Sequence, residues 1–327
     1  MKENLKQTIL TAVADDLADI EQALVDNLTP YLDRVREIAG HILFSGGKRI
    51  RPLLMILSAR ICGYEKDDAA TFAILFEYLH TATLLHDDLV DFASVRRGKP
   101  VANVIWGNAS AVLTGDFLLA RASSLAVRTR EMEILEILAR ITEDMSQGEL
   151  HQLARKGDSD LSEKEYLKII RNKTAVLMQG ACLSGAILAG AAPEQKQALS
   201  DYGLNLGMTF QMTDDLLDYT SDSEELGKAV GADLREGKFT LPLIASLARA
   251  GRDDAKKMKD IMNDRDFSIE AFQALNRLLD QYGGIAYTRA CAADYVEKAK
   301  AALSAFASST TGNLLAMLAD YTLMRNS

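Results

Sequence analysis

Apolar residues along the chain recur at spacings of three and four in long blocks, punctuated by Gly, Pro or short polar runs. That period predicts helices. Roughly the first forty residues carry two such patterns, the second capped by Thr29, with Pro30 in its first turn, and stopped at Ser45-Gly46-Gly47. A helix is expected over 53–61, ended by Gly63. Another runs from Phe72 through Leu85 toward Asp91, with Ile74, Leu75, Phe76, Leu79 and Leu84 along it and no Gly or Pro inside. Then come 108–124, 131–153, a polar loop at 155–161, and a helix opened by the capping region Ser162-Glu163-Lys164-Glu165. That helix carries Lys173-Thr174 and reaches Ala192, where Pro193 breaks it. The next includes Leu204, Leu206, Met208, Phe210 and Met212 and ends in acids. Beyond Pro242, helices are expected near 243–250, 269–281, 285–308 and 312–325, with 251–267 charged and exposed. No strand-like alternation flanked by turn signals stands out. The expected class is all-α, and without a composition break residues 1–327 are expected to form one domain.

Two of these helices end in acidic triads of identical spacing, Asp87-Asp88-x-x-Asp91 and Asp214-Asp215-x-x-Asp218. Residues four apart on a helix share a face about 6 Å apart along the axis, so Asp87 and Asp91 align with Asp88 beside them. Carboxylates at the end of an apolar helix are costly unless positive charge lies between them. A single triad reads as well as a solvated helix end. Here each is followed by a basic, glycine-containing loop, Arg96-Arg97-Gly98-Lys99-Pro100 after the first, Gly227-Lys228 and residues 231–238 after the second. Few hard oxygen ligands, shared with phosphate, are how proteins hold Mg²⁺. The implied chemistry is diphosphate bound through Mg²⁺, with Arg and Lys taking the remaining charge.

Composition narrows the partners. The net charge of −9 argues against nucleic acid and against a grip on anionic lipid. No apolar run was found to reach the roughly eighteen residues of a membrane span, so no transmembrane segment is expected, and the N-terminus lacks a signal-peptide pattern. Cys62, Cys182 and Cys291 are far apart in apolar contexts and read as reduced thiols. A cytoplasmic helical protein is expected. Lys48 and Arg51 flank the start of the 53–61 helix, where the dipole disfavours cations; they are ordinary surface charge or the sign of a bound anion. Lys173 either snorkels or points into an acidic site.

Taken in order, Gly46-Gly47-Lys48-Arg49-Ile50-Arg51-Pro52, Leu85-His86-Asp87-Asp88-Leu89-Val90-Asp91, Arg96-Arg97-Gly98-Lys99-Pro100, Gly115-Asp116-Phe117, Lys173-Thr174, Phe210-Gln211-x-x-Asp214-Asp215-Leu216-Leu217-Asp218 and Gly237-Lys238-x-Thr240-Leu241-Pro242 closely resemble the trans-isoprenyl diphosphate synthases, most of all the long-chain, octaprenyl type. The resemblance spans about residues 20–245. It implies the isoprenoid synthase fold, ten or more helices around a central active-site cavity, as a homodimer. The implied reaction joins isopentenyl diphosphate head to tail onto an allylic diphosphate such as farnesyl diphosphate. Asp87, Asp88, Asp91, Asp214, Asp215 and Asp218 would hold about three Mg²⁺. Arg96, Lys173, Thr174, Gln211, Lys228 and Lys238 match positions near the allylic diphosphate; Lys48, Arg51, His80 and Arg97 match the isopentenyl diphosphate pocket. Asp87, Asp88, Asp91, Arg96, Lys173, Asp214, Asp215 and Lys228 would carry the chemistry, with the departed diphosphate as base. His86 reads as structural.

Product length should depend on the wall below the first triad. Ala82 and Thr83 stand five and four residues before Asp87 and are small, so a growing chain passes them. Phe76, Leu125 and Leu138 are candidate deeper floors. The family trend then implies a long product of about C30 to C50, centred on C40, for a quinone side chain; a short-chain farnesyl or geranylgeranyl synthase is the alternative. A class I terpene cyclase would replace the second triad, a non-catalytic partner subunit would lose the triads, and a plain cation-binding helical protein would not need the placed Lys and Arg set.

Overall fold

The computed structural model describes residues 2–220, 231–264 and 267–325; Gly227 and Lys228 lie outside them. The regular elements among the described residues are helices, apart from one two-stranded ribbon. Contacts group into two compact units, one of Met1–Ile141, Leu177–Gly203 and Leu303–Met317, the other of Thr142–Val176, Leu204–Ala302 and Leu318–Ser327.

The first unit contains α1 (Lys2–Ala12), α2 (Ala14–Asn27), α3 (Asp33–Leu43), α4 (Ile50–Ile61), α5 (Ala69–Val90), α6 (Ala102–Trp106) and α7 (Asn108–Arg128). Its spine is α5, which packs on α7, α4 and α2. Ile74, Leu75, Phe76, Tyr78, Leu79, Ala82 and Leu85 are all buried along it, so burial of a nearly all-apolar surface holds this helix in place. It ends in a Schellman motif: Phe92 adopts φ 53°, its N–H reaches Leu89 O at 3.3 Å, and Ala93 N–H reaches Asp88 O at 2.9 Å. The chain then forms a tight hairpin, β1 (Val95–Arg96) against β2 (Lys99–Pro100). Arg97 and Gly98, at φ 51° and 74°, supply the paired positive φ of a type I′ turn.

In the second unit, α9 (Glu163–Ile170) opens with a complete capping box from Ser162 and Glu165. It continues into a π-helical turn, Arg171–Ala175, before α10 (Val176–Leu188). Helices α8 (Met132–Ala154) and α11 (Pro193–Thr220) contribute residues to both units, as does α10, of which only Val176 belongs to the second. At Gly207 a Cβ would lie 2.5 Å from Ala175 Cα, so α11 approaches the π turn only because residue 207 is glycine. Then follow α12 (Ala232–Arg235), α13 (Leu241–Leu247), α14 (Arg252–Asn263), α15 (Ile269–Gln281), α16 (Gly284–Ala302) and α17 (Thr310–Met324), which also has residues in both units. Met208, Met212, Leu216, Tyr219, Leu234, Phe239 and Phe272 belong to one apolar core.

Several expectations need correction. The first apolar pattern is two helices, α1 and α2, separated at Val13. α3 starts at Asp33, not Pro30; Pro30 is buried in the preceding connection, and the acid of Asp33 favours the helix start. Segment 251–267 is exposed over most of its described residues, as expected, but it is a helix with a buried face: α14 buries Met258 and Met262, four apart, and Phe267 is buried after it. The helix expected over 285–308 ends at Ala302, with a single 3₁₀ turn at Leu303–Ala305. α7 is, by length and composition, apolar enough to cross a membrane, although it carries Asp116, Arg121 and Arg128.

Candidate active site

In the first unit the start of α4 is organised by a residue whose place in the sequence implies no role of its own. Arg49, 5% exposed and in the left-handed region at φ 48°, donates from Nε to Glu21 at 2.6 Å and from Nη1 to the buried Glu77 of α5 at 2.7 Å; Nη2 reaches Leu43 O. This anchor fixes the turn between Lys48, which is exposed, and Arg51, which is half-buried. A Cβ at Gly47 would lie 3.7 Å from Arg97 Nη1, so the hairpin tip approaches the same turn.

Behind them stands His80. Burial first, then Arg51, Arg97, Arg96 and Arg49, hold its imidazole well below its ordinary pKa of 6.5. It is therefore neutral at neutral pH. The Arg97 guanidinium is likewise pulled below its ordinary value by burial and by Arg96. This cluster of positive charge needs an anion. The hairpin also returns Arg96 to the acidic end of α5, with Nε 2.9 Å and Nη2 2.8 Å from Asp88 Oδ1. Asp88 is 2% exposed, and its Oδ2 is buried without a hydrogen-bond partner among the described residues. Asp91 caps the helix, its N–H bonded to Asp87 O at 2.8 Å. His86 Nε2 lies 3.2 Å from Val112 O and 3.7 Å from Asp116, against Gly115, where a Cβ would come within 2.3 Å of that nitrogen. These contacts seat the imidazole against α7.

In the second unit a pocket gathers Lys173, Thr174, Gln211, Asp215 and Lys238 as expected, and adds Tyr166, Arg155 and Asp233. The π turn presents Thr174, whose Oγ1 donates to Gln211 Oε1 at 2.8 Å; Gln211 Nε2 in turn donates to Asp215 Oδ1 at 2.8 Å. Tyr166 O–H donates to Asp215 Oδ2 at 2.5 Å. Burial and the neighbouring Asp233 push the Asp215 carboxyl up to about 8 despite these donors. Lys173 Nζ lies 2.5 Å from Glu149 on α8, beside Gly148, whose missing Cβ lets α8 approach the turn; a Cβ there would be 2.8 Å from Lys173 N. Lys238 Nζ is 2.5 Å from Glu236 and 3.7 Å from Asp233. Asp218 accepts backbone N–H groups of Ala232 and Asp233 at 3.0 and 3.2 Å, so its carboxylate holds the start of α12. Asp214, nearly half exposed, pairs with Arg325. Tyr166 and Glu149 gave no signal in the sequence; Asp233 did, as an acid inside a basic loop.

The residues fit a divalent cation. The unpartnered Asp88 oxygen and the Asp215 carboxyl, raised by burial and by its acidic neighbours, are both what a nearby cation relieves. Among the described residues no three His, Cys, Asp or Glu side chains are already gathered for an ion. Each unit thus presents carboxylates beside Arg or Lys, an arrangement suited to an oxyanion that arrives with metal.

The polyprenyl synthetase family profile matches residues 33–279. Octaprenyl diphosphate synthase of Escherichia coli (strain K12) is 38% identical over 96% of this chain and 97% of its own. A short chain isoprenyl diphosphate synthase of Methanothermobacter thermautotrophicus is 36% identical over 92% and 93%. A polyprenyl synthase from Caulobacter crescentus, whose crystal structure is a complex with calcium and isoprenyl diphosphate, superposes with a TM-score of 0.91 at 42% identity, covering 98% of this chain and 97% of that one. The fold and site define an all-α enzyme with paired acidic motifs, and the chain belongs to the polyprenyl synthetase family. It is a prenyltransferase.

Proposed function

We propose that the protein is a Mg²⁺-dependent, long-chain trans-polyprenyl diphosphate synthase that adds isopentenyl diphosphate head to tail to an allylic diphosphate such as farnesyl diphosphate. The observation that carries this reading is the pair of acidic triads, each with its own cations: Arg96 on Asp88 after the first, and Lys173 and Lys238 lining the pocket around Asp215, which the Thr174–Gln211 chain holds, at the second. Residues 1–327 act as one catalytic domain.

Asp87, Asp88, Asp91, Asp214, Asp215 and Asp218 would hold about three Mg²⁺, Asp218 also fixing the turn into α12. Bound Mg²⁺ supplies the positive charge that stabilises a leaving diphosphate. Arg96, Lys173, Lys228 and Lys238 take up the oxygens of the allylic diphosphate, so Arg96 and Lys173 exchange Asp88 and Glu149 for phosphate. Lys48, Arg51 and Arg97 bind isopentenyl diphosphate, and neutral His80 donates one hydrogen bond to it. The allylic C–O bond breaks as diphosphate departs, the isopentenyl alkene attacks the allylic carbon, and the diphosphate accepts the proton.

Ala82 is fully buried and Thr83 Oγ1 turns back to His80 O at 2.9 Å. Neither side chain is large enough to close a path along α5. Buried Phe76, Leu125 and Leu138 are the deeper floors, and the product is about C30 to C50, centred on C40, as for a quinone tail. The 36% identity to a short chain synthase supports farnesyl or geranylgeranyl diphosphate as the second reading. The apolar residues left exposed on α6 and α7, at Val104, Ile105, Leu113 and Val127, support a homodimer. A cytoplasmic site of action completes the proposal.

The test is diphosphate release. Purified enzyme with Mg²⁺ should liberate inorganic diphosphate when farnesyl and isopentenyl diphosphates are both present. Equal release from farnesyl diphosphate alone would point to cyclisation or hydrolysis instead.

A further inference from the structure

Arg325 follows α17 directly and is 6% exposed. Its Nη2 donates to Phe210 O at 2.7 Å and to Asp214 Oδ1, and its guanidinium lies 3.8 Å from the centre of the Phe210 ring. Asp214 is its carboxylate partner and begins the second acidic triad. A buried guanidinium held by a backbone carbonyl and an aromatic face is a fixed fixture. The flexible member of the pair is Asp214, whose side chain is 44% exposed. The contact takes one carboxylate oxygen and leaves the other.

We infer that Arg325 is a positioning residue: it locks the Asp214 carboxylate in the orientation that receives a divalent cation, in the way that hydrogen-bonded outer partners orient metal-binding side chains. This rests on the metal-dependent reading above. The opposite role, a competitor that must leave before the ion enters, predicts the opposite sign when the residue is removed.

The test titrates Mn²⁺, a spectroscopically visible stand-in for Mg²⁺, into metal-free enzyme with inorganic diphosphate, reading free ion by electron paramagnetic resonance. Arg325→Gln should raise the half-binding concentration about tenfold, the scale typical of a lost outer partner. Arg325→Lys, which keeps the charge and loses the fork, should raise it about threefold, and both should regain most of their turnover at saturating metal. An unchanged or lowered half-binding concentration in folded Arg325→Gln overturns the inference. Should circular dichroism show that Arg325→Gln does not fold, Arg325→Lys decides: the threefold rise supports the role and no change overturns it. Failure of the proposed function looks different, since the wild-type enzyme would then bind no Mn²⁺ with diphosphate.

Discussion

Arg49→Met tests whether a buried ion pair holds up one wall of the site. Methionine keeps the stem volume and removes the charge. The exposed partner, Glu21, is 46% accessible and rehydrates at little cost, on the order of 0–1 kcal/mol. Glu77 is only 8% accessible and is left as a buried charge without its guanidinium, which costs about 3–5 kcal/mol. Leu43 O also loses a charged donor, part of the same loss. At about 2–4 °C per kcal/mol, thermal unfolding followed by circular dichroism should drop by roughly 6–20 °C. Glu77→Leu added to Arg49→Met should recover most of that drop, because no unpaired charge remains. At temperatures where the variant is folded, KM for isopentenyl diphosphate should rise more than kcat falls, since Arg49 fixes the turn carrying Lys48 and Arg51. An unfolding midpoint within 2 °C of wild type, or additive losses in the double variant, would refute the reasoning (a threshold set well below the roughly 6 °C expected).

Three further outcomes follow from the site. The unfolded chain takes up a proton at His80 below about pH 6.5 and the folded chain refuses it, so this group costs stability as pH falls, by at most about 1.4 kcal/mol per unit; denaturant unfolding of His80→Asn should lose less stability than wild type between pH 6.5 and 5. Gly148→Ala places a Cβ 2.8 Å from Lys173 N, displacing the π turn; steady-state kinetics should show KM for the allylic substrate up about tenfold with a small loss of unfolding temperature, and an unchanged KM would separate Gly148 from Lys173. Ala82→Phe, at a fully buried wall position, should shorten the main product by several isoprene units in chromatography of dephosphorylated alcohols, with about 1–3 kcal/mol of overpacking.

Most helices were legible because burial on one face imposes a period that survives in the sequence. Where charge masked that period it failed: α14 carries Arg252, Asp253, Asp254, Lys256 and Lys257, and its buried face is only Met258 and Met262. The hairpin at Val95–Pro100 was read as a basic loop, because strands of two residues have no alternation to display. The π turn leaves no compositional mark, being one residue more per turn in a helix that otherwise continues. The acidic triads were visible as local spacing. Their distant partners and supports were not: Glu77, which anchors the turn carrying Lys48 and Arg51, is 28 positions from Arg49, and Arg325 is 111 from Asp214, and only folding brings them together.

The most direct test of the central claim is product analysis. Labelled isopentenyl diphosphate, farnesyl diphosphate and Mg²⁺ are incubated with the enzyme and the dephosphorylated alcohols separated by chain length. The account predicts a Mg²⁺-dependent ladder of all-trans products ending at about C30 to C50. Termination at C15 or C20 with shorter primers would contradict the long-chain assignment and place the floor near Phe76, while no incorporation from any allylic primer would contradict the synthase itself.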